Sequence, residues 1–334
     1  MANWKRLWMS TTKNASAVSY VSLPDILMAR EVIAGKVHRT PTIRSTNLGK
    51  LTGTELYFKA EVFQKTGSFK PRGAINKLNS LSHEERARGV ITMSAGNHAA
   101  GLAYAASLFG IKATVVMPEN AVKSKVEATR GYGATVIQHG GAKDLFPKVQ
   151  EIQQERNLTF VHPFDDPYVI AGQGTIGLEI LEDVLEPDVV VVAIGGGGLI
   201  SGIAAAIKLK RPTAKVIGVE PVGSSAMMQS LQHNEVARLD RHDTIADGLA
   251  APFVGEANLA HVRRYVDGVV LVTDEEISEA LGLILERRKL LTEPAGAASF
   301  AALLHRKFDV APGARVVCVL SGGNVDRSRL KTIL

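Results

Sequence analysis

Cysteine and long apolar runs are almost absent from this sequence. Cys318 is the only cysteine among 334 residues, so no disulfide can form within the chain and a reducing compartment is expected. The apolar runs are all shorter than the ~18 residues that a membrane-spanning helix needs. We therefore expect a cytoplasmic protein without a membrane partner.

Basic clusters interleaved with aromatic residues are also lacking. The formal net charge is +6, but the cations are scattered and aromatic residues make up only 5% of the chain. The densest basic run, Lys208–Arg211, has no aromatic neighbours and indicates the solvated end of a helix. No nucleic-acid partner is therefore predicted. Residues 1–22 carry cations but no acid, and we expect them to form a disordered or loosely docked tail rather than a targeting peptide.

Short apolar runs alternate with helical patterns from about Leu23 onward. The predicted strands are Glu55–Lys59, Val90–Met93, Ala113–Met117, Thr135–Gln138, Val189–Ile194, Lys215–Val219, Gly268–Val272 and Arg315–Leu320. The predicted helices are Gly101–Phe109, Lys123–Tyr132, Ala142–Arg156, Gly174–Leu185, Leu199–Lys210, Asp274–Lys289 and Gly296–Arg306. This alternation indicates an α/β architecture with parallel sheets.

No linker separates domains, so the domain boundaries are inferred from where one group of strand–helix units ends and the next begins. Three consecutive strand–helix units form a compact module, and we expect a small domain over residues 88–157. Residues 23–87 and 158–334 would then form a larger, discontinuous domain. In open parallel sheets, ligands bind at the carboxyl ends of the strands, in the crevice between units. We therefore expect the site between the two domains.

The segment around Lys70 has features of a covalent-catalysis site. Its sequence is Gln-Lys-Thr-Gly-Ser-Phe-Lys-Pro-Arg-Gly-Ala over residues 64–74. A lysine that forms an imine must be partly neutral, and desolvation beside other cations lowers its pKa. Taken alone, the segment is equally compatible with an exposed lysine at a helix start.

Three further segments follow predicted strands. Residues 94–101, Ser-Ala-Gly-Asn-His-Ala-Ala-Gly, precede an alanine-rich helix whose first amides suit a carboxylate. Gly195–Gly198 are four consecutive glycines, which leave backbone amides open to a phosphate. They match neither a Walker loop nor the dinucleotide-binding G-x-G-x-x-G pattern. Ser321, after the last strand, could donate to a ring nitrogen. Separately, these segments could be a helix cap, a turn and a structural histidine.

Together the four segments resemble fold-type II pyridoxal-phosphate enzymes, and within them the threonine/serine dehydratase and serine racemase family. The motifs GSFKPRGA, SAGNHAAG, GQGTIGLEI, GGGGLISG and SGGNVD occur in the family's order. The resemblance runs from about Leu23 to the C-terminus. It implies a tryptophan synthase β-like fold, in which two three-layer α/β domains hold the cofactor in the cleft between them.

The resemblance also implies a role for each motif residue. Lys70 would carry pyridoxal phosphate and take the Cα proton, with Ser94 as the second catalytic residue. Phe69 would pack on the cofactor ring, Asn97 would bond its 3-hydroxyl and Ser321 its nitrogen, and Gly195, Gly196, Gly197 and Gly198 would bind the phosphate. The substrate-binding loop is expected to comprise Ser94, Ala95, Gly96, Asn97 and His98. The implied reaction is dehydration and deamination of L-threonine or L-serine to a 2-oxo acid and ammonia, as in an ammonia-lyase (EC 4.3.1.-).

Departures from the family pattern narrow these expectations. The family's racemases carry a second serine where this chain has Ala95, so a dominant racemase is not expected. Members with a cation site have an acid six residues after the position of Glu220, where this chain has Ala226; only a weak Mg²⁺ or Ca²⁺ site is expected there. A nucleotide effector is suggested by the partial match at Lys65, Thr66, Lys289 and Asn324. A homodimer or homotetramer is expected, and isoleucine feedback through a C-terminal regulatory domain is not.

The substrate and several alternatives stay open on sequence alone. Residues 246–253 (ADGLAAPF) should lie near the substrate side chain and are largely apolar, which suits threonine or a bulkier amino acid such as phenylserine. Hydroxyaspartate is disfavoured because no surplus cation is identifiable. The alternatives are a serine racemase with elimination as a side activity, a β-replacement synthase, a nicotinamide-dependent oxidoreductase and a non-catalytic sensor on the same fold.

Overall fold

A six-stranded sheet is the centre of the larger unit in the computed structural model, which describes residues 19–334. Most of the expected tail, residues 1–18, lies outside the described residues. The strand order is β1-β2-β10-β7-β8-β9, and only β1 is antiparallel to its neighbour. These strands are β1 (Thr42–Arg44), β2 (Glu55–Ala60), β7 (Val189–Ala193), β8 (Lys215–Pro221), β9 (Gly268–Val272) and β10 (Arg315–Leu320).

The second sheet is smaller and fully parallel, in the order β5-β4-β3-β6. Its strands are β3 (Val90–Met93), β4 (Ala113–Met117), β5 (Thr135–Gln138) and β6 (Thr159–Phe160). The sequence predicts three strands here, whereas the structure has a fourth beyond residue 157. Two half-buried residues are too short to show a hydrophobic period, so β6 and the three-residue β1 escape prediction.

Helices cover both sheets. They are α1 (Leu23–Ile33), α2 (Thr46–Thr52), α3 (Lys70–Asn79), α4 (His83–Arg88), α5 (Asn97–Phe109), α6 (Lys123–Gly131), α7 (Leu145–Arg156), α8 (Pro167–Asp183), α9 (Gly198–Lys210), α10 (Ala226–His233), α11 (Glu256–Tyr265), α12 (Asp274–Leu283), α13 (Pro294–Leu304) and α14 (Arg327–Ile333). A π-helical turn, Ile284–Arg288, extends α12. No helix within residues 19–334 is long and apolar enough to cross a membrane.

The core is built from two apolar layers on either side of the larger sheet. All five residues of β7 are buried valines and an alanine, as in a strand covered on both faces. Helices α8 and α9 pack closely on one face because Gly202 has no side chain. A Cβ there would lie 2.2 Å from the backbone oxygen of Ile170. On the other face, α13 buries ten of its residues, Pro294–Leu303. Residues at or just after the carboxyl ends of β3, β4, β7 and β10 line one cleft.

Candidate active site

The cleft between the sheets holds a cavity of about 500 Å³. All four segments singled out from the sequence line it, although they are far apart in the chain. The predicted site residues on its wall are Phe69, Lys70, Ser94, Ala95, Gly96, Asn97, His98, Gly195, Gly196, Gly197, Gly198 and Ser321. Of the predicted set, only Glu220 lies elsewhere.

Lys70 is the first residue of α3, and it is half-buried in the cavity wall. Its Nζ donates to the backbone oxygen of Pro163 at 2.9 Å and lies 5.1 Å from the centroid of the Phe69 ring. Burial lowers the pKa of Lys70 to about 8, against the opposing charge of Glu293. Helix α5 can approach Lys70 because residue 101 is glycine; a Cβ there would lie 2.8 Å from the Cβ of Lys70. The charged amine still predominates at pH 7, but its neutral fraction is far larger than that of an ordinary lysine.

Two buried histidines add no positive charge to the surroundings of Lys70. Burial and the proximity of Lys70 lower the pKa of His98 well below its usual range and that of His162 to about 3. The Nδ1 of His162 accepts from the backbone N–H groups of Phe164 and Asp165. The Nε2 of His98 is buried without a hydrogen-bond partner in the described part of the chain. Both rings are thus neutral, and His98 keeps a free ring nitrogen.

Asn97 belongs to a polar network that sequence analysis only partly predicts. Its Nδ2 donates to Glu293 Oε1 at 2.6 Å, and its Oδ1 accepts from Asn324 Nδ2 at 2.8 Å. Asn324 also donates to the backbone oxygen of Thr66 at 2.7 Å. Glu293 was not predicted. Its signal in the sequence is only the position before Pro294 at a helix start, which suggests a cap.

Glu293 is a titratable neighbour of Lys70. It is 7% exposed and lines the cavity. Burial raises the pKa of Glu293 to about 7, although the bond from Asn97 works in the opposite direction. Near neutral pH the carboxyl is therefore available in both protonation states.

The loop between β3 and α5 directs polar groups at the cavity. Ser94 follows β3, and its Oγ accepts from the backbone N–H of Gly96 at 3.2 Å. Asn97 begins α5, so the first amides of that helix lack intrahelical acceptors. Ala95 lies in the same loop and brings no hydroxyl. This arrangement suits a small carboxylate.

The glycine run forms an open cradle where β7 ends and α9 begins. Gly197 has φ +98°, in the left-handed region, and Gly198 is the first helical residue. A Cβ on Gly196 would lie 2.3 Å from the Phe164 ring, and one on Gly198 would lie 2.8 Å from the Phe164 backbone oxygen. The residues therefore pack so tightly on Phe164 that only glycine fits. A helix start with unshielded amides fits a phosphate group.

Ser321 closes the cavity at the end of β10. It is 5% exposed, and its backbone oxygen accepts from the N–H of Phe69 at 3.1 Å. An isolated bridge between Ser68 and Gly322 reinforces this contact. The last strand therefore holds both Ser321 and the segment that bears Lys70 against the cavity.

Glu220 and the suggested nucleotide residues occupy other surroundings. Both carboxylate oxygens of Glu220 accept backbone N–H groups, from Met227 and Met228 at the start of α10. Burial raises the pKa of Glu220 to about 7. No group of three or more His, Cys, Asp or Glu within residues 19–334 could hold a metal ion. The residues at this position thus fit a helix cap rather than a cation. Of the four nucleotide-site residues, only Asn324 lines the cavity.

A half-buried lysine with a lowered pKa and an open glycine cradle line one cleft between two sheets, and together they define a pyridoxal-phosphate enzyme of fold type II. The chain belongs to the family described as pyridoxal-phosphate dependent enzyme, whose model matches residues 33–322. Its cofactor is therefore pyridoxal phosphate, and the wall residues fit that group.

Curated relatives and solved structures agree with this family. The chain is 48% identical to L-threonine ammonia-lyase of Thermotoga maritima, covering 94% of this chain and 78% of the relative. It is 44% identical to the catabolic L-threonine dehydratase TdcB of Escherichia coli K12, covering 94% and 96%. Maize serine racemase superposes with a TM-score of 0.90 at 40% identity, covering 94% of this chain and 97% of that one. A threonine deaminase isoform of Solanum lycopersicum has a TM-score of 0.88 at 36% identity, covering 94% of each chain.

Proposed function

We propose that the chain is a lyase that removes water and ammonia from L-threonine or L-serine, giving 2-oxobutyrate or pyruvate. The observation that carries the proposal is the half-buried Lys70, with its pKa near 8, in one cavity with the glycine cradle. The relatives with the names threonine ammonia-lyase and threonine dehydratase support the reaction and the substrate.

Different wall residues would bind the cofactor and transfer the proton. Pyridoxal phosphate, when bound, withdraws electrons from the Cα of an attached amino acid. Gly195–Gly198 would hold its phosphate and Asn97 its ring hydroxyl. Lys70 would hold the cofactor and move the Cα proton at Nζ. Ser321 offers a neutral hydroxyl to the ring nitrogen, which favours loss of the β-hydroxyl over transamination.

The loop Ser94–His98 would bind the substrate carboxylate and hold the Cα–H bond toward Lys70. Ser94 is the second proposed catalytic residue, because its hydroxyl borders the same space. Ala95 carries no group that could return a proton to the opposite face of Cα. Racemisation needs such a second acid–base group, so elimination should dominate. A racemase with elimination as a side activity is the second candidate, supported by the similarity to maize serine racemase.

The substrate side chain should meet a mostly apolar wall. Leu249, Ala250, Ala251 and Pro252 line the cavity, which suits the methyl group of threonine or a larger phenyl group. Phe253 lies behind this wall, with its ring centroid 5.9 Å from that of Phe164.

The cavity also has two cations that were not predicted from the sequence, Lys125 and Arg329. These two cations bear on whether a substrate with a second carboxylate would bind. Both pair with Asp247: Lys125 at 3.6 Å and Arg329 at 2.7 Å. Hydroxyaspartate is therefore disfavoured because both cations already share a carboxylate partner, rather than because cations are missing.

Several wider properties belong to the same proposal. We expect a homodimer or homotetramer in the cytoplasm. A nucleotide effector near Lys65, Thr66, Lys289 and Asn324 stays a prediction from the family resemblance. A divalent cation at Glu220 is not favoured, because both of its carboxylate oxygens already bind backbone amides.

The test begins with the visible spectrum of the purified protein. A cofactor band is expected in the wild type and should be lost in Lys70→Ala. Adding L-threonine or L-serine, each in a separate assay, should release 2-oxobutyrate or pyruvate without an added nucleophile or NAD. A predominance of D-amino acid over 2-oxo acid would favour the racemase instead. A protein that shows no band after incubation with pyridoxal phosphate would contradict the assignment.

A further inference from the structure

Asn258, at the third position of α11, lies directly behind the glycine cradle. Its side chain is 0% exposed and does not line the cavity. The Nδ2 donates to two backbone oxygens, that of Gly196 at 3.0 Å and that of Phe164 at 3.1 Å. One side-chain amide therefore joins the cradle to the aromatic residue against which the cradle packs.

Asn258 packs closely against both the glycine cradle and α9. A Cβ on Gly197 would lie 2.8 Å from the Cβ of Asn258, and the Ser201 hydroxyl of α9 donates to the Asn258 backbone oxygen at 3.4 Å. The Oδ1 of Asn258 is buried and has no hydrogen-bond partner in the described part of the chain. A buried acceptor without a partner is costly, so the two bonds made by Nδ2 must offset that cost.

The Gly196 oxygen determines the direction of an amide in the cradle. In a trans peptide, the C=O of one residue and the N–H of the next point in opposite directions. The Gly196 oxygen faces Asn258 and also accepts from Gly255 N–H at 3.1 Å. The N–H of Gly197 therefore points away from Asn258.

Glycine on both sides makes this peptide unusually free to rotate. Gly197 already has φ +98°, and neither residue has a side chain to oppose a flip of the peptide between them. A flipped peptide would aim the Gly196 carbonyl where the Gly197 N–H now points, and so repel a phosphate.

We propose that Asn258 is a positioning residue for the cofactor phosphate, which acts by holding the peptide between Gly196 and Gly197 in the orientation that offers its N–H to the cavity. This inference rests on the assignment of Gly195–Gly198 as the phosphate cradle. Replacing Asn258 should therefore weaken binding of pyridoxal phosphate through its phosphate group. A general destabilisation would not be specific to that group.

The experiment compares two probes on the full-length apoprotein: pyridoxal phosphate, and pyridoxal, which lacks the phosphate. Dissociation constants are measured by absorbance titration for the wild type, Asn258→Ala and Asn258→Asp. Aspartate is nearly the same size as asparagine but has no amide donor. Both variants should lose at least about tenfold of the affinity for pyridoxal phosphate, while pyridoxal affinity changes less than about twofold.

Asn76→Ala is the matched control. Asn76 is a buried asparagine whose Nδ2 also donates to a backbone oxygen, that of Tyr168, but it lies on α3 away from the cradle. This variant should keep the wild-type ratio of the two dissociation constants. Thermal unfolding of each apoprotein checks that the variants fold.

The outcomes distinguish a failure of the cradle assignment from a failure of the role proposed for Asn258. If the wild type binds pyridoxal as tightly as pyridoxal phosphate, the cradle assignment itself fails. If the wild type prefers pyridoxal phosphate and both Asn258 variants keep its ratio, only the role of Asn258 is overturned. Equal losses for both probes would also overturn it, because they indicate a general structural role.

Discussion

At the scale of single residues, the pKa of Lys70 depends on two opposing effects. Burial lowers the pKa of Lys70 to about 8, and the nearby charge of Glu293 raises it. Only the neutral amine attacks the cofactor aldehyde. The rate at which apoprotein acquires the cofactor band should therefore increase with pH and reach half its maximum near pH 8.

Replacing Glu293 should shift this profile toward lower pH. In Glu293→Gln the carboxylate no longer stabilises the charged amine, so the pKa of Lys70 falls and the neutral form persists to lower pH. Stopped-flow measurements of the cofactor band between pH 6 and pH 10 would give both midpoints. Glu84→Gln, at an exposed position on α4, is the control and should keep the wild-type midpoint. A midpoint in Glu293→Gln that stays unchanged or rises would contradict the interaction.

Gly196 offers a second test at this scale. In Gly196→Ala the new Cβ would lie 2.3 Å from the Phe164 ring, so the cradle or the ring must move. We expect affinity for pyridoxal phosphate to fall at least about tenfold. Gly131→Ala should leave it unchanged, because no atom lies within 4 Å of a Cβ there. Equal affinities for the two variants would show that the packing on Phe164 does not shape the cradle.

The sequence could identify only those wall residues that belong to a local pattern. Ser94–His98, Gly195–Gly198 and Ser321 each follow a buried strand and precede a turn or helix, so spacing along the chain indicates them. Glu293, His162 and Asn258 have no such pattern. Glu293 reaches the cavity wall through tertiary packing, and His162 and Asn258 contact wall residues from behind it. Only the structure reveals these positions.

At the scale of elements, α3 is fixed by an ion network immediately behind Lys70. Arg72 is fully buried; it donates to both oxygens of Glu61, at 2.9 and 2.8 Å, and to both oxygens of Glu179, at 2.6 and 3.0 Å. Glu61 follows β2 and Glu179 lies on α8. Lys59 also pairs with Glu179, at 2.6 Å. Three elements therefore meet at one guanidinium.

Removing that guanidinium should destabilise the fold strongly. Arg72→Met leaves Glu61 buried without its main partner, and breaking a buried pair from one side costs about 3–5 kcal/mol. Arg30→Met is the control: Arg30 pairs with Glu182 at the surface at 3.0 Å, and such pairs contribute about 0–1 kcal/mol. Urea unfolding of both variants measures the free energies. Similar losses in the two variants would mean that the network does not anchor α3.

Elements with a clear apolar run were predictable, whereas weakly patterned ones such as α1 and α11 were not. The strands Val90–Met93, Ala113–Met117 and Thr135–Gln138 have the predicted bounds, as do Gly268–Val272 and Arg315–Leu320. Helix α4 was missed because its six residues, HEERAR, include no buried one. Its start nonetheless has a capping box between Ser82 and Glu85, a sequence signature that is readable in principle.

At the scale of the whole molecule, the mouth of the cavity is bridged by polar contacts between its two sides. Helix α6, which packs with the smaller sheet, contributes Ser124 and Lys125. Ser124 donates to Asp326 at 2.7 Å, and Lys125 pairs with Asp247. Arg329 of α14 donates to Asp247 at 2.7 Å. Sequence spacing could not predict this, since the partners are some 80 to 200 residues apart in the chain.

Asp247 therefore determines how much positive charge a substrate meets at the mouth. In Asp247→Asn, both Lys125 and Arg329 lose their carboxylate partner while keeping their places on the wall. A substrate with a second carboxylate gains from this, whereas threonine does not. Exposed charge pairs contribute about 0.2–1 kcal/mol, so kcat/KM for hydroxyaspartate relative to threonine should rise up to about fivefold.

The measurement needs both substrates and a charge-matched control. Asp240→Asn removes an exposed carboxylate at a position that does not line the cavity, so it should leave the ratio of the two kcat/KM values unchanged. The effect of Asp247→Asn should shrink at high salt, because exposed charges are screened within about 10 Å at 0.1 M ionic strength. A ratio that does not differ between the two variants at low salt would mean that the cations at the mouth do not contact the substrate. Selectivity against a second carboxylate would then have to come from the apolar wall at Leu249–Pro252.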